Sequence, residues 1–450
     1  MSLALEPGVL ASLLQRVVAS HRSSERVGKV ACASPREFTT PRNPEAVVAE
    51  VTEGLDRGAV HPTSPRYFGP PTATPADITV VAEALVASFG LQLATTDHAP
   101  FAVEIERKVL EALASRFDLT GADATFTTGG AESNLIAVTS ALVAAFPNVA
   151  TDGLRGLDAD PTVYVSAEAH PTIVRAGRIA GLGARAVRVV PADAGHRMKL
   201  ASLKAMISRD RAAGKRPVLI VATAGTTAAG SIDPVPELVA VARRANAWLH
   251  VDAAYGGLLA FVPELRGLLA GIEDADSFAF DPHKVLAVPL GAGAYFTRHQ
   301  GNLEATFAAR AGYMPRGGGE PYARSPRWSR PFTGLATFMV LATAGFEGIA
   351  DALRKQIGLA ERLRERLAQA GFVVVNESRL PVVCFVDRGP GGDRGAHLER
   401  LRRSVLVADA GWISVVRFAN GGRALRACIA SHRTEAEDID RLAAALIAAR

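Results

Sequence analysis

The strongest constraint on how this chain folds is an alternation. After Gly121, short, nearly all-apolar runs recur over Thr162–Ser166, Ala186–Val190, Val218–Ala222, Trp248–Asp252 and Ser277–Phe280. Helical patterns lie between them, over Pro171–Ala180, Leu200–Ala213 and Pro234–Ala245. Runs with no polar face belong to a mostly parallel sheet covered by helices on both sides, an α/β architecture. Such sheets bind ligands at the carboxyl ends of their strands. His170, Thr226, Thr227, Asp252, His283 and Lys284 all fall at or just after the end of a run, which would gather them along one edge.

Around this body the sequence reads as an arm and a smaller unit. Residues 1–77 hold helical patterns over Val9–Ala19 and Pro44–Arg57, then a loop from His61 to Thr72 whose repeated prolines forbid a helix. Residues 78–340 form the large domain, opening with helical patterns over Val80–Phe89 and Phe101–Phe117. Residues 341–450 form a small α+β domain. It starts with a charged helix, Asp351–Gln369, and continues with strands over Gly371–Val375, Val382–Val386, Val415–Phe418 and Leu425–Ile429, with a further segment at Leu398–Ser404. A last helix begins at Thr434, with Glu437 three residues on as a capping box.

Composition narrows the function classes. The 450 residues are 48% hydrophobic and 21% charged, which excludes a disordered or fibrous chain. The net charge of +5 is dispersed. The densest basic stretch, Arg310, Arg316, Arg324, Arg327 and Arg330, is interleaved with Gly and Pro and lacks aromatic periodicity, so it reads as a solvated loop and not a nucleic-acid face. Cys32, Cys384 and Cys428 have neither disulfide-framework nor zinc-site spacing. Glu6 and Pro7 stand where a signal peptide would need a basic start and an apolar run, and the apolar stretch Leu335–Phe346 is closed by Glu347. A cytoplasmic protein without membrane contact is expected.

Five segments carry chemistry. In Ser277-Phe-Ala-Phe-Asp-Pro-His-Lys284 a lysine follows an apolar strand and a proline-stiffened turn. Partial desolvation would lower its pKa and make its amine a nucleophile toward an aldehyde cofactor, although a lysine there can also snorkel to water. In His250-Val-Asp-Ala-Ala-Tyr-Gly-Gly257 the strand ends in a carboxylate followed by small residues. Asp252 suits the pyridine nitrogen of pyridoxal phosphate and Ala254 a flat ring, while a helix-capping aspartate is the plainer reading. Thr127-Thr-Gly-Gly-Ala-Glu-Ser-Asn134 opens a helix with free N–H groups suited to a phosphate. His170, past its strand, could stack on a cofactor or handle a proton. The turn Ala222–Asp233 offers threonine hydroxyls that could bond a cofactor or merely shape a turn.

Read in order, Gly-Gly-Ala-Glu-Ser-Asn134, Ala-His170, Ala-Gly-Thr-Thr227, His-Val-Asp-Ala-Ala-Tyr255 and Asp-Pro-His-Lys284 resemble the pyridoxal-phosphate-dependent group II amino acid decarboxylases. His61-Pro-Thr-Ser-Pro-Arg-Tyr-Phe68 resembles the family's N-terminal substrate loop. Leu425-Arg-Ala-Cys-Ile429 with Arg433-Thr-Glu-Ala-Glu-Asp438 resembles its C-terminal signature. The resemblance implies the fold of type I pyridoxal-phosphate enzymes, with a seven-stranded, mostly parallel sheet and a small C-terminal α+β domain. It implies that Lys284 forms the Schiff base to the cofactor, Asp252 pairs with its ring nitrogen, His170 stacks on the ring opposite Ala254, and Thr227 touches a ring substituent. Gly130, Ala131, Ser277 and His283 would hold the phosphate, Ala131 standing where relatives often carry a hydroxyl. Tyr322 is the implied loop acid, with Tyr313 in reserve.

The resemblance places the substrate near Tyr67, Phe68 and the segment Leu93–Pro100. There Thr95, Thr96, Asp97 and His98 replace the aromatic residue usual in aromatic-specific relatives, so a polar or charged substrate side chain is expected. Asp97 would suit an amine, or Arg66 an acid. A homodimer with sites at the subunit interface is implied. A carbon–carbon lyase of the sphingosine-phosphate-lyase type and an oxidative deaminase making aldehydes remain as alternatives.

Overall fold

The computed structural model describes residues 40–309, 312, 319–389 and 394–450, together with residues 8, 11–15, 18 and 19. Cys32, Arg310, Tyr313 and Arg316 lie outside the described residues. Seven strands make the large sheet: β1 (Asp123–Thr127), β2 (Pro161–Ser166), β3 (Val187–Val190), β4 (Arg216–Thr223), β5 (Trp248–Asp252), β6 (Ser277–Phe280) and β7 (Gly293–Thr297). Their order is β1-β7-β6-β5-β4-β2-β3. Neighbours from β3 to β6 are parallel, and β7 runs antiparallel to both β6 and β1.

The apolar runs became β2 to β6. Neither β1 nor β7 stood out in the sequence, because Asp123, Thr125, Thr127 and Gly293 interrupt them, although both strands are almost wholly buried. Helices Gly130–Ala145, Thr172–Ile179, Leu200–Ala212 and Val235–Ala245 follow β1, β2, β3 and β4 in turn. With covering helices on the sheet, residues such as Leu219, Ile220, Val221 and Val251 lose all exposure.

The apolar stretch at Leu335–Phe346 and the charged helix after it form one element, Gly334–Gln369, interrupted at Gly345, whose φ of 64° breaks the helical run. It leads into β8 (Val373–Val374), β9 (Val382–Val386), β10 (Ser414–Arg417) and β11 (Arg423–Cys428), an antiparallel sheet in the order β10-β11-β9-β8. Leu398–Ser404 lies within a helix, Arg394–Val407. The last helix, Ala436–Ala448, is capped by Glu435 and Asp438 rather than by Thr434 and Glu437. Thr434 instead donates its hydroxyl to the Pro65 carbonyl at 2.7 Å, fastening the N-terminal loop.

Two expectations change with the packing. The N-terminal loop docks on the small domain: Phe68 N–H donates to Trp412 O, and Cys428 N–H to Phe68 O, both at 2.9 Å. Phe68 is thereby fully buried in the small-domain core with Ile413 and Leu425, and is not a pocket wall. From Arg324 to Arg330, the described part of the arginine stretch is no solvated loop. Arg324 pairs with Asp123, Arg327 with Glu132 at 3.1 Å and Arg330 with Glu106 at 3.2 Å, so each guanidinium meets a carboxylate of the large domain.

Candidate active site

Four turns at the carboxyl edge of the sheet, after β1, β4, β5 and β6, are forced together by small residues. A Cβ on Gly256, after β5, would come within 2.2 Å of the Ala224 carbonyl oxygen after β4. A Cβ on Gly129 would meet His283 Cε1 at 2.9 Å, and one on Gly130 would meet Ala254 Cβ at 3.2 Å. The start of helix Gly130–Ala145, the turn after Asp252 and the turn before Lys284 therefore share one cleft. Its shape is set by residues that lack side chains.

Lys284 sits one short turn beyond β6, with its ammonium 3.0 Å from Asp281 Oδ2. The same oxygen accepts the Gly130 N–H at 3.0 Å, while Asp281 Oδ1 is buried without a hydrogen-bond partner. Burial pulls the Lys284 pKa down, but the Asp281 and Asp252 carboxylates outweigh it, so the pKa is raised. The lowering expected from desolvation alone is thus reversed by a carboxylate that the sequence reading passed over within Asp-Pro-His-Lys. His283 donates from Nδ1 to the Ala292 carbonyl at 2.7 Å, and burial lowers its pKa.

Asp252 is buried at the end of β5. Its Oδ1 accepts the Ala254 N–H at 3.2 Å and its Oδ2 the Asn134 side-chain amide at 3.0 Å. The helix-capping reading does not hold: the Ala254 bond closes a turn, and the short helix Gly256–Phe261 that follows has no side-chain cap. Asn134 also reaches Thr172 Oγ1, 3.0 Å away, and Thr172 Oγ1 lies 2.9 Å from His170 Nδ1. His170 has a lowered pKa, chiefly through desolvation, with the Asp252 charge opposing it. In the turn after β4, Thr226 is buried and accepts the Ser231 N–H, while Thr227 is exposed.

Several expected residues lie elsewhere. Ser277 opens β6, at the far end of that strand from Asp281. Its hydroxyl is 2.8 Å from both Trp248 Nε1 and His250 Nδ1, so it is not part of the phosphate cradle. Tyr67 stacks on Trp412 at 5.5 Å, beside the small domain. Asp97 and His98 are exposed on a turn, and Tyr322 packs with Ala94 and Trp328. Arg66 is taken by Asp409 at 2.8 Å, which removes it as a free anchor for an acidic substrate.

Residues not singled out beforehand are Asp281, Asn134, Thr172, His250 and Arg426. All five stand inside or beside quoted motifs, and only the fold shows what the first four touch. Arg426 is buried, donates to Gly69 O at 3.2 Å and leaves Nε and one terminal nitrogen without hydrogen-bond partners among the described residues.

Pyridoxal phosphate fits these residues. Glycines at Gly129 and Gly130 leave room at a helix start, Ala254 faces that start, Asp252 offers a carboxylate held by two N–H donors, and Lys284 offers an amine. The pyridoxal-dependent decarboxylase conserved domain matches residues 33–388. The chain belongs to the pyridoxal-dependent decarboxylase family. This decarboxylase is 33% identical over 376 residues to L-2,4-diaminobutyrate decarboxylase of Rhizobium meliloti, covering 81% of this chain and 72% of the relative. It is 30% identical over 444 residues to aromatic-L-amino-acid decarboxylase of Sus scrofa, covering 91% and 89%. Its fold matches the crystal structure of mouse CSAD in apo form with a TM-score of 0.90 and 25% identity, over 98% of this chain and 99% of that one.

The decarboxylase converts an L-amino acid to its amine and CO2. Pyridoxal phosphate, when bound, supplies the electron sink for the pair left on Cα as CO2 departs. Lys284 would contribute the amine that holds the cofactor's aldehyde carbon. Asp252, its carboxylate held by the Ala254 and Asn134 N–H groups, would face the pyridine nitrogen. His170 and Ala254 would bracket the ring, and the N–H groups at the start of helix Gly130–Ala145 would receive the phosphate.

Proposed function

We propose that this decarboxylase acts on an L-amino acid whose side chain carries an amine, and that it works as a homodimer. The observation behind the substrate reading is the contrast between two charges. Arg66 is spent on Asp409, whereas Asp97, in the polar turn Thr95–His98, is exposed and makes no ion pair among the described residues. A relative named L-2,4-diaminobutyrate decarboxylase agrees in substrate type. A second reading, an acidic substrate, is favoured by Arg426, a buried guanidinium with unsatisfied N–H groups beside the N-terminal loop. Such a group is costly to bury unless an anion reaches it.

The dimer reading rests on uncovered apolar surface. Helix Pro44–Gly58 buries none of its residues in the single chain, and Leu55, Phe89 and Phe101 are 61%, 70% and 77% exposed. A second copy would cover them and would place Asp97 and His98 against the partner's cleft. Tyr322 would travel with them, because its N–H donates to the Ala94 carbonyl at 3.0 Å. That makes Tyr322 the candidate to return a proton to Cα in the neighbouring site.

The test is product analysis with a panel of L-amino acids. Amines from diamino acids, lost in Asp97→Asn, support the first reading. Turnover of glutamate, aspartate or cysteine sulfinate, lost in Arg426→Met, supports the second, and turnover of Phe, Tyr or Trp alone overturns both. Aldehyde with peroxide in place of amine would reassign the enzyme to oxidative deamination. Aldehyde with phosphoethanolamine from a phosphorylated amino alcohol would make it a carbon–carbon lyase. For the dimer, two inactive variants, Lys284→Ala and Asp97→Ala, should regain activity when mixed and reassociated, and failure to do so would place both residues in one subunit's site.

A further inference from the structure

We propose that Asn134 is the positioning hub of the cofactor cleft: one side-chain amide holds Asp252 in place and, through Thr172, holds His170 with its proton on Nε2. The inference rests on the assignment of this cleft to pyridoxal phosphate. It follows from counting donors and acceptors along a buried chain of hydrogen bonds that runs from Trp248 to His170.

At one end, the Trp248 indole can only donate, and its Nε1 lies 2.8 Å from Ser277 Oγ. Ser277, accepting there, keeps its own proton free for His250 Nδ1, also 2.8 Å away. In the middle, the Asp252 carboxylate can only accept, so it must face the nitrogen of Asn134, at 3.0 Å. That turns Asn134 Oδ1 toward His250 Nε2, at 3.2 Å, where an acceptor needs a donor. The two constraints agree on one state of His250, neutral, accepting at Nδ1 and donating at Nε2. Full burial, which lowers its pKa to about 4, keeps it in that state.

The second N–H of Asn134 points to Thr172 Oγ1 at 3.0 Å. A hydroxyl that accepts there donates onward, and the nearest acceptor is His170 Nδ1 at 2.9 Å. The Thr172 backbone N–H approaches the same nitrogen at 3.4 Å. His170 Nδ1 is thus an acceptor twice over, and a neutral ring must carry its proton on Nε2.

Two consequences follow for chemistry. Asp252 receives N–H groups from Asn134 and Ala254, which fix the orientation of its carboxylate toward the ring nitrogen of a bound cofactor. His170 meets the substrate as a hydrogen-bond donor at Nε2 and not as a base there. Asn134, His250 and Ser277 are each at most 1% exposed, so water cannot replace a missing link.

The test uses full-length protein labelled with 15N-histidine and loaded with pyridoxal phosphate, the His170 ring signals being identified by their loss in His170→Gln. Wild type and Thr172→Ser should both show the Nε2–H form. Thr172→Val should lose that preference, with kcat about tenfold or more lower and KM little changed. Asn134→Asp keeps the shape but cannot donate to Asp252, and should raise the cofactor dissociation constant about tenfold or more. The hub is overturned if Thr172→Val keeps the wild-type tautomer, if Thr172→Ser is as impaired as Thr172→Val, or if Asn134→Asp binds cofactor as tightly as wild type. A cofactor absorbance band that depends on Lys284 reports the cleft assignment separately. Its absence in wild type would fail that assignment, whatever the tautomer.

Discussion

Asp281 links the helix start to Lys284, and removing its charge separates the two roles. Asp281→Asn keeps an oxygen for the Gly130 N–H but loses the carboxylate that does most to raise the Lys284 pKa. The amine should then deprotonate at lower pH. Reaction of the apoprotein with pyridoxal, followed across pH by absorbance, should show its midpoint moving downward, and an unmoved midpoint would assign the raised pKa to another group. A second residue-scale prediction concerns Glu106 and Arg330, whose side chains are 6% and 4% exposed. Glu106→Gln retains the acceptor for the Gly334 N–H, 2.9 Å away, but strands a buried guanidinium. Chemical denaturation should show a loss of about 3 kcal/mol, and a double replacement by methionine should recover most of it.

At the scale of elements, the cleft exists because the turns after β4 and β5 touch. Gly256→Ala would drive a Cβ into the Ala224 carbonyl, which no rotamer change can relieve because both partners are backbone. The expected result is a stability loss of about 1–3 kcal/mol together with weaker cofactor retention, measured by thermal unfolding and by dialysis. A variant that retained wild-type cofactor affinity would show that the two turns can separate without opening the site.

For the whole molecule, buried histidines set the acid response. His250 titrates at about 6.5 when unfolded but at about 4 in the fold. As pH falls below 6.5, the unfolded chain takes up a proton that the native state refuses, so native stability declines until about pH 4, by about 3 kcal/mol from this residue. His170, His283 and His432 are lowered in the same direction. Asp233, raised to about 6 by burial, opposes them: its native form binds the proton more tightly, so it adds stability as pH falls from 6 toward 4. Glu83 and Glu106, also raised by burial, act with it, but the four histidines outnumber these three carboxylates, and denaturant unfolding should show a net loss of stability between pH 6.5 and 5, reduced in His250→Gln. A flat profile in that window would mean that His250 is protonated in the native state.

The presence of strands β2 to β6, the helices between them and the cleft residues Asp252, His170 and Lys284 could be read from the chain. Those features are local: a short apolar run bounded by turn residues reads as a strand under covering helices, and a charged residue just past it falls at the carboxyl ends of the strands. What the chain alone left open are relations between segments distant in sequence. β1 and β7 look polar until they pair in the interior. Ser277 looks like a phosphate ligand until β6 lies beside β5 and brings it under His250. Arg324, Arg327 and Arg330 look solvated until the loop folds back on Asp123, Glu132 and Glu106. Asn134 is an ordinary helix residue until Asp252, 118 positions away, comes within hydrogen-bond reach. Burial and hydrogen-bond partnership arise only when such segments meet, so the tertiary structure alone decided which polar groups are positioned and which are merely exposed.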